Sequence, residues 1–131
     1  MSYRFEKHYT LQQARALLPR VQEWLKQIAD LRGKLQKHDT KIETLMEPGS
    51  DVGGTVVNRW VEILAQLKEV LVEFQRREIQ IKDLDRGLID FPAIIQGREV
   101  FLCWESGEED IEFWHDLDAG YAGRERLTDP D

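Results

Sequence analysis

The sequence predicts an α+β fold: a long antiparallel helix pair packed on one face of a three- to four-stranded antiparallel sheet. Three observations carry that expectation. Apolar residues recur at helical spacing through the first half, at Leu11, Ala14, Leu18, Val21, Leu25 and Ile28, then at Trp60, Ile63, Leu64, Leu67, Leu71 and Phe74. Two later runs, residues 98–104 and 111–115, alternate and are rich in β-branched and aromatic side chains. Gln96-Gly97 sits between Ile95 and Arg98, where a two-residue hairpin turn needs a residue that accepts positive φ.

The first helix is expected over residues 10–46. Thr10-Leu11-Gln12-Gln13 reads as a capping box, with Thr10 as N-cap and Gln13 reaching back. Leu17, Trp24 and Leu31 widen the apolar stripe, and Pro19 is expected to kink the helix near Arg15. The run Pro48-Gly49-Ser50-Asp51-Val52-Gly53-Gly54 is a breaker. A second helix follows over residues 56–78, with Glu73 and Arg77 as a favourable i,i+4 pair.

The sheet is expected over residues 79–116, beginning with a short strand at Ile79-Gln80-Ile81-Lys82. Pairing Ile95 with Arg98 sets Phe91 opposite Leu102 and Ile89 opposite Trp104. A second turn at residues 106–109 would pair Trp104 with Ile111 and Leu102 with Phe113. That register collects Ile89, Phe91, Ala93, Val100, Leu102, Trp104, Ile111 and Phe113 on a core face that ends at His115. Asp90, Pro92, Ile94, Glu99, Phe101, Cys103, Glu112 and Trp114 fall on the other face. Pro92 has no amide donor, so its strand should be an edge or carry a bulge. Residues 117–131 read as a C-terminal loop and tail, and residues 1–131 as a single domain.

Composition narrows the function class. The formal charge is −7, with bases and acids interleaved, which argues against nucleic acid. A single cysteine excludes an intramolecular disulfide and any C-x-x-C motif. The stretch MSYRFEKHYT has no apolar core of a signal peptide, and no run of about 18 apolar residues occurs. The expectation is a cytoplasmic protein with no membrane partner.

Three pieces of sequence then carry a resemblance: YTLQQARALLPRV, KDLDRGLIDFPA, and GREVFLCWESGE followed by FWHDLDAGYAGR. In order and spacing, from Tyr9 to Arg124, the chain resembles a family of small bacterial proteins, domain-of-unknown-function family 2203. The resemblance implies a single cytoplasmic domain and supplies no catalytic residue, because the family carries no established activity.

Four constellations hold possible chemistry. His115, Asp116 and Asp118, near Asp83, Asp85 and Asp90, form an oxygen-rich set with one imidazole, which suits a divalent metal. The plainer reading is a strand-ending histidine and turn-capping aspartates. Asp90, Cys103 and Glu112 fall in one row, where flanking carboxylates disfavour a nucleophilic thiolate and His115 points away. Phe101, Trp114, Pro92 and Ile94, rimmed by Glu99, Asp90 and Glu112, make a contact surface, unless the tail from Leu117 to Tyr121 or part of the first helix folds over it. Gly120-x-x-Gly123-Arg124 offers backbone amides and a guanidinium to an anion, against a plain turn with a structural arginine.

The reading favoured by these residues is a non-enzymatic binding module. It acts as a homodimer through its helices and uses Asp90, Phe101, Glu112, Trp114 and Arg124 toward an unknown protein or small molecule. No cofactor is expected. The rival is a metal-dependent enzyme, such as a hydrolase, with His115, Asp116 and Asp118 as ligands.

Overall fold

The computed structural model describes residues 2–45 and 54–128. The breaker at residues 48–53 and the last three residues of the tail lie outside the described residues. Helix α1 spans Leu11–Leu45, α2 spans Gly54–Arg76, and five strands follow: β1 (Gln80–Asp83), β2 (Leu88–Ile95), β3 (Arg98–Glu105), β4 (Phe113–Asp116) and β5 (Glu125–Arg126). They form one antiparallel sheet in chain order, so the fold is α+β with one strand more than the sequence predicts. No helix among the described residues is long and apolar enough to cross a membrane.

The helix start follows its capping chemistry. Thr10 N–H donates to Gln13 Oε1 at 3.0 Å, and Gln13 N–H donates to Thr10 Oγ1 at 3.1 Å. Two donors with no helical acceptor are thereby satisfied. The helix continues through Pro19.

The chain divides into two compact units. One comprises Met1–Gln22 and Phe74–Asp131; the other is Glu23–Glu73. The second is a helical hairpin, in which Trp60 Nε1–H donates to Asp39 Oδ1 at 2.9 Å. Its buried apolar residues are Trp24, Ile28, Leu31 and Ile63.

The first unit holds the sheet. The β2–β3 register matches the expectation: Ile95 faces Arg98, Phe91 faces Leu102 and Ile89 faces Trp104. Gln96 and Gly97 both take positive φ, at 51° and 78°, as a hairpin turn of this hand requires. Pro92 is tolerated because β1 ends before it, its last partner along β2 being Asp90. The carbonyl of Pro92, which points to the same side as its missing N–H, accepts Tyr9 N–H at 2.7 Å.

The β3–β4 register departs from the expectation by one residue. Leu102 faces Trp114, and Cys103 faces Phe113. The connection is no tight turn. Residues 106–112 are pinned by local bonds: Trp104 Nε1–H to the Glu108 carbonyl at 3.0 Å, and Glu105 N–H to Glu108 Oε1 at 2.7 Å. Ile111, expected in the strand, is fully buried within this loop. A one-residue slip exchanges the faces of a strand. Trp114 therefore joins Val100 and Leu102, while Phe113 and His115 join Cys103 and Phe101.

Residues 125–127 of the tail are paired with the sheet unit. Glu125 and Arg126 form β5 against Trp114 and Phe113, and Leu127 N–H donates to the Glu112 carbonyl at 2.8 Å.

Candidate functional site

The corrected register assembles a polar cluster inside the sheet unit. Alternation along β2, β3 and β4 brings Asp90, Cys103 and His115 to one face. All three are buried, at 1%, 0% and 2% exposure. A carboxylate oxygen, the sulfur and a ring nitrogen lie mutually within 4.8 Å.

The imidazole is held at both nitrogens. His115 Nδ1 lies 2.7 Å from the Asp116 carbonyl, an acceptor only, so Nδ1 carries a proton. Nε2 lies 2.9 Å from Asp90 Oδ2. Burial pulls the imidazole pKa down, but the bonds to Asp90, Cys103 and the Asp116 carbonyl, with the Asp90 charge, outweigh it and push the pKa up to about 10. Asp90 Oδ1 is buried and has no hydrogen-bond partner. Buried acceptors in native proteins are almost always satisfied, so this oxygen calls for an occupant.

Two segments cover the face. From the N-terminal side, Glu99 gathers residues 4–8. Its Oε1 accepts Arg4 N–H at 2.7 Å; its Oε2 accepts Phe5 N–H at 3.0 Å and meets His8 Nε2 at 2.7 Å. Burial raises the Glu99 pKa, yet the bonds from His8, Phe5 and Arg4 prevail and hold it below the usual carboxylate range. The strap lays Phe5 edge-on against Phe101, with ring centroids 5.4 Å apart. Lys82 Nζ stands 4.7 Å from the Phe101 ring centre.

From the C-terminal side, the turn at Tyr121–Gly123 brings in Arg124. Its guanidinium lies 3.8 Å from the Phe113 ring centre and 4.5 Å from that of Tyr121. It donates to Cys103 Sγ at 3.7 Å and forms an ion pair with Glu108.

The residues singled out from sequence separate accordingly. Asp90 is in the cluster. Phe101 is buried under Phe5 and offers no contact surface. Arg124 spends its charge on Glu108 rather than on an open anion site. Glu112 is exposed and pairs with Arg126 at 3.6 Å. Trp114 lies on the opposite face, half-buried, with Arg98 5.5 Å from its ring centre. Of the alternative metal set, His115 points inward. Asp116 pairs with Arg98 at 3.0 Å and Asp118 with Arg4 at 3.3 Å, both at the surface, so the three do not converge. Cys103, passed over as a small half-buried side chain, is fully buried beside the imidazole. His8 had no role in the sequence reading, and Glu99, placed on the outer face from sequence, instead holds residues 4–8 against the sheet.

On the opposite face lies a groove of about 680 Å³. Leu11, Ala93, Val100, Leu102, Trp114 and Leu127 line it, together with Arg98. Its size and apolar lining suit a small organic ligand or a peptide side chain.

No curated protein and no solved structure matches the chain. The model of one protein family, described as Uncharacterized conserved protein (DUF2203), matches residues 7–127. That span takes in the capping box, the β2–β3 hairpin, the buried cluster and the turn bearing Arg124, and the chain belongs to the DUF2203 family.

Proposed function

We propose that the protein is a non-enzymatic binding module that works as a homodimer, its helical hairpin joining two copies and its sheet unit holding a ligand. The carrying observation is apolar surface on the hairpin. Val57 and Val61 are 37% and 52% exposed. With half-buried Leu64 they make an i, i+4, i+7 seam on α2, apart from the stripe of Trp60, Ile63 and Leu67. Half-buried Leu25 and Leu35 extend the surplus on α1. Two helices cannot hide a second seam alone, and a two-fold pairing into four helices is the common solution. On the sheet unit, the groove beside Trp114 is the seat offered to a small apolar ligand or peptide. The free, buried Cys103 fits a reducing cytoplasm.

Sedimentation equilibrium tests the pairing. The expected mass is twice the 15.4 kDa of the chain at micromolar concentration. Val61→Glu, a substitution at an exposed site, should give the monomer with an unchanged circular dichroism spectrum. A single-chain mass for the native protein at every concentration would overturn the dimer.

The enzyme reading has less support. Asp116 and Asp118 are engaged at the surface, and Cys103 lies beneath the covering segments, out of reach of a substrate in this state.

A further inference from the structure

We propose that Asp90, Cys103 and His115 form a binding site for one borderline divalent transition metal, of which zinc is the natural occupant. The proposal stands apart from dimerisation and from the groove.

The donor set comes first. Thiolate and imidazole select zinc, iron or copper over magnesium and calcium, and the carboxylate, itself a zinc ligand type, makes a three-ligand set with a fourth position for water. The three donor atoms lie within 4.8 Å of one another. Two ligands at tetrahedral angles on zinc stand roughly 3.3 Å apart. The 2.9 Å between His115 Nε2 and Asp90 Oδ2 therefore opens only slightly when an ion enters.

The surroundings are those of a ligand rather than of a bare ion pair. Metal-bound histidines almost always donate their other ring N–H to a carbonyl or carboxylate, which fixes the tautomer and leaves the free nitrogen for the metal. His115 does this through Nδ1 to the Asp116 carbonyl at 2.7 Å. Arg124 stands against the sulfur at 3.7 Å, the place of a hydrogen bond to a metal-bound thiolate.

The independent observation is Asp90 Oδ1. It is buried without a partner in a residue only 1% exposed, although its sister oxygen is bonded. A carboxylate shared between the ion and its neighbours uses both oxygens. The charge also balances. Binding releases the Nε2 proton of His115 and the thiol proton of Cys103 to solvent, and a divalent ion with one thiolate, one carboxylate and a neutral imidazole is neutral overall, which is the form least costly to bury.

Cobalt(II) is the probe, because it replaces zinc in such sites and reports its ligands by colour. Chelator-treated protein is titrated with cobalt chloride in the native state and, separately, during refolding from urea. One equivalent should produce a thiolate-to-cobalt charge-transfer band and the intense visible bands of a tetrahedral centre. Cys103 is the chain's sole cysteine, so the band by itself locates the ion. Zinc should compete the colour away and raise Tm by about 5 °C or more at saturating concentration. Asp90→Asn, which keeps size and shape, should weaken cobalt binding at least tenfold, and His115→Ala should abolish the tetrahedral bands. Absence of the charge-transfer band under both conditions would overturn the proposal. So would weak, octahedral-type visible bands, or a band equally strong in the Asp90 and His115 variants, since each means that the cluster does not converge on the ion. None of these outcomes bears on the sedimentation result.

Discussion

His115 Nε2 meets Asp90 Oδ2 at 2.9 Å across the sheet, both side chains 2% exposed, as a buried ion pair with the β3 residue Cys103 between their strands. Breaking such a pair from one side leaves a charge without compensation, whereas removing both leaves none. Asp90→Ala should therefore cost about 3–5 kcal/mol in metal-free protein. Asp90→Leu combined with His115→Leu should cost less than Asp90→Ala alone. Urea unfolding of the two proteins checks the order, and a double variant that is the less stable would contradict the ion-pair account.

The same pair sets a pH dependence. The folded pKa of His115, about 10, stands above its ordinary value of 6.5. The contribution is therefore fully present below about pH 6.5 and is lost as the pH rises through about 10. With chelator present, stability should fall across that window by at most about 1.4 kcal/mol per pH unit. His115→Asn should flatten this part of the profile, as read from urea midpoints at successive pH values.

Glu99 acts with the opposite sign. Its folded pKa is lowered by the bonds from His8, Phe5 and Arg4, against burial, so its contribution is present above the ordinary carboxylate value and lost as the pH falls through the folded one. Glu99→Gln should loosen the strap at neutral pH. The expected readout is faster amide hydrogen exchange in a peptide covering residues 2–8, with exchange in β2 and β3 unchanged.

On the groove face, Leu102→Ala should cost about 2–5 kcal/mol, because Leu102 is 2% exposed in mid-strand. Trp114→Ala should cost less in stability, the side chain being half-buried at the groove, and should instead weaken any apolar ligand found there. Equal losses in urea unfolding would place Trp114 in the core and remove the groove.

Much of the fold was legible because it rests on local chemistry. The Thr10–Gln13 capping box, the two apolar helical stripes and the Gln96-Gly97 turn each act over a few residues, and together they fix both helices and the β2–β3 register. Trp24 shows how far such a reading extends. It was read with Leu17 and Leu31 as widening the apolar stripe of α1, yet it is 9% exposed within the chain, and among the described residues of the hairpin Val57 and Val61 are exposed.

The site needed the tertiary structure. Phe113-Trp114-His115 carries aromatic rings on both parities, so alternation could not choose the face of β4. Its register is decided instead by a seven-residue connection at 106–112, held by Glu108 and by the Arg15 guanidinium, which donates to the Ile111 carbonyl at 2.9 Å. These contacts span up to 96 positions and leave no periodic trace in the chain. The sequence by itself determined the two helices and the β2–β3 hairpin, because those preferences act within a few residues. Only long-range packing decided that His115 turns toward Asp90 and Cys103, because a one-residue choice in β4 depends on contacts made far along the chain.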